Sequence, residues 1–279
     1  MSVDKRPEQS LLGRATEYRS DYAPELLFPI PRQQKRDELG ILAGALPFAG
    51  EDLWNAYEIS WLDLRGKPHV AIGTFRVPAE SPCLIESKSL KLYLNSFNQT
   101  VFADVSAVEA CIAADLSAAA GAQVRVVVHL LSSQPERFFG YPEGVCIDGL
   151  EIDVHRYDPA PELLHARAAE VKENELLYSN LLKSNCLVTG QPDWGSVFVR
   201  YSGPAIDREA LLQYVISFRE HNEFHEQCVE RIYCDIMQRC APRRLAVWAR
   251  YTRRGGLDIN PFRASDLVWQ PENVFDIRQ

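Results

Sequence analysis

The sequence predicts an α+β protein: two tandem halves, each an antiparallel sheet with two helices on one face. Three observations predict it. A helix pair set between strand-like segments occurs twice along the chain. Short identities fall in register between the two occurrences: Ser96-Phe97 matches Ser217-Phe218 and Val108-Glu109 matches Val229-Glu230, both 121 residues apart. Finally, neither Gly-x-Gly-x-x-Gly nor a phosphate-loop motif occurs anywhere, which removes the usual glycine fingerprints of parallel nucleotide-binding sheets.

The elements follow in order. Residues 1–45 read as an irregular lead-in with one short helix, and the prolines of "LFPIPR" (27–32) keep that stretch extended. The first half spans 46–133. "LWNAYEISWLDL" (53–64) places aromatic and apolar residues at near-alternate positions, as a strand does. Arg65-Gly66-Lys67-Pro68 turns it, and "HVAIGTFRVPA" (69–79) is its partner. In "ESKSLKLYLNSFNQT" (86–100), Leu90, Tyr93, Leu94 and Phe97 recur at helical spacing. Asp104 caps a second helix through 105–120, which Gly121 stops, and "QVRVVVHLL" (123–131) is again a strand.

The span 134–194 reads as a connection, with clusters of Pro and Gly; a connection of that length is usually functional or disordered. The second half, 195–279, repeats the order: strand 196–203, helix 207–220, a helix over 223–240 capped by Asn222, and strand 243–253.

Composition limits the function. The chain has 279 residues, 46% hydrophobic and 24% charged, an ordinary balance for a globular protein. Its formal net charge of −8 argues against nucleic acid as a partner. No apolar run reaches the ~18 residues that span a membrane, and the N-terminus lacks the apolar core of a signal peptide, so a cytoplasmic protein is expected. The seven cysteines include no Cys-x-x-Cys pair, which disfavours a disulfide framework or a zinc ribbon.

Four stretches carry residues suited to chemistry. "SNCLVTGQPDW" (184–194) holds Cys186 and Asp193 in a segment rich in turn formers. Either Cys186 is a small buried hydrophobe and Asp193 a cap, or Cys186 is a nucleophile whose protons Asp193 moves. At 86–91, Glu86 precedes Ser87 and Lys88, and Lys88 and Lys91 share a face at the start of a helix, where free N–H groups and the dipole attract anions. Such a stretch is either a solvated face or a phosphate site, and Glu86 could take paired hydrogen bonds from a ligand's neighbouring N–H donors. At 224–226, Phe224 joins the apolar stripe with Cys228 and Ile232, while His225 and Glu226 fall off it; no second histidine completes His-Glu-x-x-His, so zinc is not expected. In "RYTRRGGLDINPFR" (250–263), Arg253, Arg254 and Arg263 surround a Gly-Gly turn, either as exposed arginines or as a phosphate clamp.

In chain order, "ESKSLKLYLNSFNQT" (86–100), "SNCLVTGQPDW" (184–194), "FHEQCVERI" (224–232) and "RRGGLDINPFR" (253–263) resemble the NADPH-dependent 7-cyano-7-deazaguanine reductases of queuosine biosynthesis, in their longer two-domain bacterial form. The resemblance covers about residues 20–279. It implies tandem tunnelling-fold domains that self-associate, with a homodimer expected. It implies reduction of a nitrile to a primary amine with two NADPH, through a covalent thioimide on Cys186. Asp193 would activate the thiol and protonate the nitrogen, aided by burial beside Trp194, and His225 would supply a further proton. Ile85, Glu86, Ser87, His225 and Glu226 would bind the base, with Phe224 stacking on it. Ser87, Lys88, Arg254 and Gly255 would contact NADPH. The motifs lie in different halves, so a complete site draws on two domains or two subunits. The competing readings are a zinc-dependent pterin cyclohydrolase of the same fold, a non-catalytic purine- or pterin-binding module, and a thiol hydrolase acting on nitriles.

Overall fold

A computed structural model describes residues 18–133, 140 and 143–279. The first 17 residues of the lead-in fall outside these. In chain order the elements are β1 (Pro29–Pro31), α1 (Gln33–Glu38), β2 (Ala49–Leu62), β3 (Pro68–Pro78), β4 (Cys83–Ile85), α2 (Ser87–Asn95), α3 (Val105–Ala120) and β5 (Arg125–Leu130). They continue as β6 (Val145–Cys146), β7 (Ala166–Asn185), β8 (Pro192–Ile206), α4 (Arg208–Ser217), α5 (His225–Cys240), β9 (Arg244–Tyr251) and β10 (Leu257–Ala264). None of the described helices is long and apolar enough to cross a membrane.

The fold is α+β, and the chain divides into two compact units. Among the described residues, one holds 18–36, 51–133 and 253–259; the other holds 37–50, 140, 143–252 and 260–279. In the first unit β2, β3 and β5 pair antiparallel, and a separate antiparallel pair joins β1 to β4. β3 shows the alternation expected of a half-buried sheet: Ala71, Phe75 and Val77 face inward. They pack against Tyr93 and Phe97 of the α2 segment and Val108, Ile112 and Leu116 of α3. Asp104 accepts from the Ala107 N–H, and Gly121 ends α3 in the left-handed region at φ 72°.

In the second unit β7, β8 and β9 pair antiparallel in that order, the C-terminal part of β10 adds to β9, and the two-residue β6 joins β7 in parallel. Here the structure departs from the sequence reading of an irregular connection, because β7 alone runs for 20 residues inside it. The first half of β7 is mostly exposed and carries Glu170, Lys172, Glu173 and Glu175, so it lacks the apolar alternation that marks a strand. Cys186 therefore belongs to the tight turn of a long β7–β8 hairpin.

The duplication extends into hydrogen bonding. Tyr93 donates to Asp115 in the first unit, and Tyr214 donates to Asp235 in the second. Tyr93 meets Phe97 edge-on, and Tyr214 meets Phe218 likewise. Ser96 Oγ accepts from the Ala23 N–H and Ser217 Oγ from the Ala160 N–H. Each of these alanines opens the same five residues, Ala-Pro-Glu-Leu-Leu, at 23–27 and 160–164. In both copies the Pro-Glu-Leu forms one 3-10 turn with proline at its start, where its missing N–H costs nothing.

Candidate active site

In the second unit, the nucleophile candidate is placed by the hairpin. The Cys186 N–H donates to Gln191 O at 2.8 Å and the Gly190 N–H to Cys186 O at 3.0 Å, and Gly190 takes a positive φ of 67°. Cys186 is 7% exposed. The strand register sets Ser184 of β7 opposite Asp193 of β8. Paired residues point to the same face, and successive residues to opposite faces. Asp193 therefore turns inward, 3% exposed, while Trp194 turns outward, 41% exposed, under the Arg219 guanidinium. Asp193 is thus buried as expected, but strand alternation turns Trp194 to the opposite face, so Trp194 is not what covers it.

His225 covers Asp193 instead. Its Nε2 lies 3.4 Å from Asp193 Oδ1, and its ring stacks on Tyr251 at 3.7 Å between centroids and 4° between planes. The strip before α5 is tied to the hairpin: Asn185 N–H donates to His221 O at 2.8 Å and Glu223 N–H to Asn185 O at 3.0 Å. The cap of α5 is Phe224, not Asn222. Asn222 is committed to this strip, bridging to Asn185, three residues before the helix begins. Gln227 Oε1 accepts from the Phe224 N–H at 3.4 Å, the half of a capping box that a phenylalanine permits. Phe224 is half-buried, Glu226 is buried, and Cys228 faces the core. Burial pushes the Cys228 thiol well above its ordinary range, so it stays protonated and makes a poor nucleophile.

A buried ion group sits just behind. Arg231 donates to Glu223 through Nε at 3.1 Å and Nη2 at 2.8 Å, and His221 Nε2 lies 3.0 Å from the same carboxylate. Burial alone would raise the Glu223 carboxyl, but His221 and Arg231 overcome it and hold it at about 2.

In the first unit, Glu86 caps α2 itself. Its Oε1 accepts from the Lys88 N–H at 2.6 Å and its Oε2 from the Ser89 N–H at 2.9 Å. The expectation of free N–H groups for a phosphate is corrected here: a carboxylate already occupies two of them. Burial pushes the Glu86 carboxyl up, against the N–H donors that lower it. Oε1 also accepts from the Ser87 hydroxyl at 3.4 Å, which leaves a second lone pair on Oε2 for a ligand donor. Ile85 is a core residue at 3% exposed, so only its backbone is available to a ligand.

The Gly-Gly turn is real. Gly255 and Gly256 both take positive φ, 58° and 79°, between a closed Arg254–Leu257 pair, as a type I′ turn requires. Lys91 lies across Gly255: a Cβ there would come within 3.1 Å of Lys91 Cδ and 3.3 Å of Nζ. Lys91, which the sequence reading paired with Lys88, thus meets the residue the resemblance assigned to the cofactor. Arg253 packs over the Tyr57 ring at 4.7 Å. Arg263 is not part of any clamp. It is fully buried in the second unit, donating to Glu230 at 3.1 and 2.8 Å with the Phe48 ring beside it. Lys88, Lys91 and Arg254 are cations that the first unit gathers on these two stretches. Among the described residues no cluster of three or more His, Cys, Asp or Glu has a metal-holding arrangement.

The chain matches two family models. Residues 18–128 match one described as "Nitrile reductase, 7-cyano-7-deazaguanine-reductase N-term", and residues 192–267 match "QueF-like protein". Among curated proteins, it is 66% identical over 272 residues to the NADPH-dependent 7-cyano-7-deazaguanine reductase of an Azoarcus species, covering 98% of this chain and 96% of that one. It is 63% identical over 270 residues to the protein of the same name from Dechloromonas aromatica, covering 97% and 95%. The one from Chromobacterium violaceum is 58% identical over 273 residues, covering 98% of each.

Proposed function

Because the chain belongs to the family of NADPH-dependent 7-cyano-7-deazaguanine reductases, we propose that it reduces the nitrile of 7-cyano-7-deazaguanine to 7-aminomethyl-7-deazaguanine through a covalent bond to Cys186. The observation that carries the covalent step is the grouping at the hairpin: Cys186 directly follows β7, Asp193 is the second residue of β8, and His225 lies 3.4 Å from Asp193.

A nitrile carbon is a weak electrophile, so a sulfur nucleophile suits it. The Cys186 thiol passes its proton to Asp193, the sulfur adds to the carbon, one π bond of the nitrile opens, and Asp193 hands that proton to the nitrogen, giving a thioimide. NADPH, when bound, supplies hydride to carbon, two per nitrile. After the first, the carbon is tetrahedral; the C–S bond then breaks, the sulfur leaves with the electron pair, and an imine remains. After the second, the nitrogen takes its last proton and the amine is complete. The balance is one nitrile, two hydrides and two protons. Asp193 delivers protons at the nitrogen, and His225, in reach of Asp193 and partly exposed, resupplies it. The burial of Cys186 and Asp193 excludes water that would hydrolyse the thioimide.

Glu226 is assigned to the neighbouring N–H donors of the base, as is Glu86, with Ser87 beside it; Phe224 stacks on the ring. Ile85 contributes through its backbone. Lys88 and Arg254 hold phosphate, and Gly255 lets a ligand approach the backbone closely. We assign the tandem halves to 46–133 and 195–279, with the Cys186 segment between them. We place the enzyme in the cytoplasm as a homodimer.

The test is turnover. Cys186→Ala should abolish NADPH oxidation dependent on the nitrile, and Asp193→Asn should fold yet slow it severely. Two NADPH should be consumed per amine formed. Normal turnover in the Cys186→Ala variant would end the covalent reading.

A further inference from the structure

The hairpin brings two buried hydroxyls to the face that carries Asp193. Ser184 opposes Asp193 across β7 and β8. Two residues further along β8, Gly195 returns to that face and opposes Tyr251 of β9. Gly195 has no side chain, and the Tyr251 ring lies over its place: a Cβ there would come within 3.1 and 3.2 Å of the ring edge. His225 stacks on the same ring. Cys228, one helical turn past His225, adjoins both Ser184 and Tyr251, and the Asp193 charge reaches Tyr251 and Cys228.

Ser184 and Tyr251 are both fully buried. Ser184 Oγ, Tyr251 OH and the Cys228 thiol lie close to one another, yet neither hydroxyl, nor His225 Nδ1, completes a hydrogen bond of good geometry. Such atoms are rare in native proteins and destabilise the fold that carries them. Phenylalanine and alanine would fill the same space without that cost. Hydroxyls kept under these conditions mark a state of the protein in which they are paired.

We propose that Tyr251 and Ser184 are positioning residues for the proton transfer: their hydroxyls turn onto Asp193 once its proton has gone to the substrate nitrogen, and the Tyr251 ring holds His225 in place to resupply it. The proposal rests on the function assigned above and deepens it. A carboxylic acid becomes a buried carboxylate in that step. Hydrogen bonds to a charged acceptor are about twice as strong as neutral ones, so the hydroxyls stabilise the product of transfer more than its reactant. Burial keeps the Tyr251 phenol well above its ordinary range, so it remains a donor. The other titratable groups around Asp193 are Cys186 on the hairpin and His225 and Cys228 on α5. Glu223, Arg231 and His221 lie behind Cys228, and Arg231 is already engaged by Glu223. No proton is gained or lost by the hydroxyl pair; they only reorient.

Tyr251→Phe, Ser184→Ala and Tyr251→Leu test this. Formation of the Cys186 adduct from 7-cyano-7-deazaguanine, without NADPH, is followed by rapid quench and mass spectrometry across pH, with a melting temperature for each variant. Tyr251→Phe and Ser184→Ala are expected to melt at or above the wild-type temperature and to form adduct at least tenfold more slowly. The alkaline limb of their pH profile should move up, because a carboxylate that has lost donors holds its proton more tightly. Tyr251→Leu should lose more, since His225 loses its stack as well. Wild-type rates and an unmoved profile in the first two variants would overturn the proposal. So would a lower melting temperature in both, which would mean that the hydroxyls are paired in the resting protein. A wild-type protein that forms no adduct would instead overturn the covalent function.

Discussion

Replacing Glu223 by Gln should remove a pH-dependent part of the stability that also steadies the Cys186 hairpin. Glu223 is 1% exposed, with two hydrogen bonds from Arg231 and His221 at 3.0 Å. These partners hold its carboxyl at about 2, against an ordinary 4.5. The folded-state value is depressed, so the contribution is fully present above 4.5 and is lost as pH falls toward 2. At ~1.4 kcal/mol per pH unit, that interval is worth about 3 kcal/mol at neutral pH. The side chain of Arg231 is 18% exposed, so water recovers part of what it loses. A loss of about 2 kcal/mol in Glu223→Gln at pH 7 is therefore expected. Urea unfolding of both proteins at pH 7, 5 and 3 checks it: the gap between them should be widest at pH 7 and shrink by pH 3. A gap that stays constant over that range would refute the reasoning. The same variant should loosen the strip 221–223 from Asn185, whose two backbone hydrogen bonds set the position of the next residue, Cys186.

Three further outcomes are expected. Gly195→Ala should press a methyl against the Tyr251 ring and the Arg250 carbonyl, at 3.1 and 3.2 Å. It should cost about 1–3 kcal/mol and slow nitrile reduction. Gly149→Ala, with nothing within 4 Å, serves as its control in thermal melts and turnover. Arg263→Ala should destabilise by about 3–5 kcal/mol because it strands buried Glu230, while Arg263→Lys should leave the KM for NADPH unchanged in steady-state assays. Lys91→Gln should raise the KM for NADPH severalfold without altering adduct formation, which separate adduct and steady-state measurements would distinguish.

Much of the fold was legible because its strands and helices bury one face each. The alternation in 69–79 and the helical stripe Leu90, Tyr93, Leu94 and Phe97 are direct images of a half-buried surface. β7 was illegible because its exposed, charged first half buries no face at all. Asp193 and His225 were visible as residue types and through the family resemblance. That Trp194 turns away was set by strand alternation, which cannot be applied before the strand is located. Arg263 read as either an exposed arginine or part of a phosphate clamp, because sequence does not reveal that Glu230 waits for it in the core. Ser184 and Tyr251 carried no signal: only the register of β7, β8 and β9 brings them to one face. The repeated Ala-Pro-Glu-Leu-Leu at 23 and 160 was readable, but its spacing differs from that of the helix pair, so a search at one fixed offset passes over it.

The most direct test of the covalent account is the intact mass of the protein mixed with 7-cyano-7-deazaguanine in the absence of NADPH, followed by peptide mapping. The account predicts a gain equal to the whole base, located at Cys186 and lost when NADPH is added. No gain at saturating base, with the Cys186 thiol shown to be reduced, would contradict it.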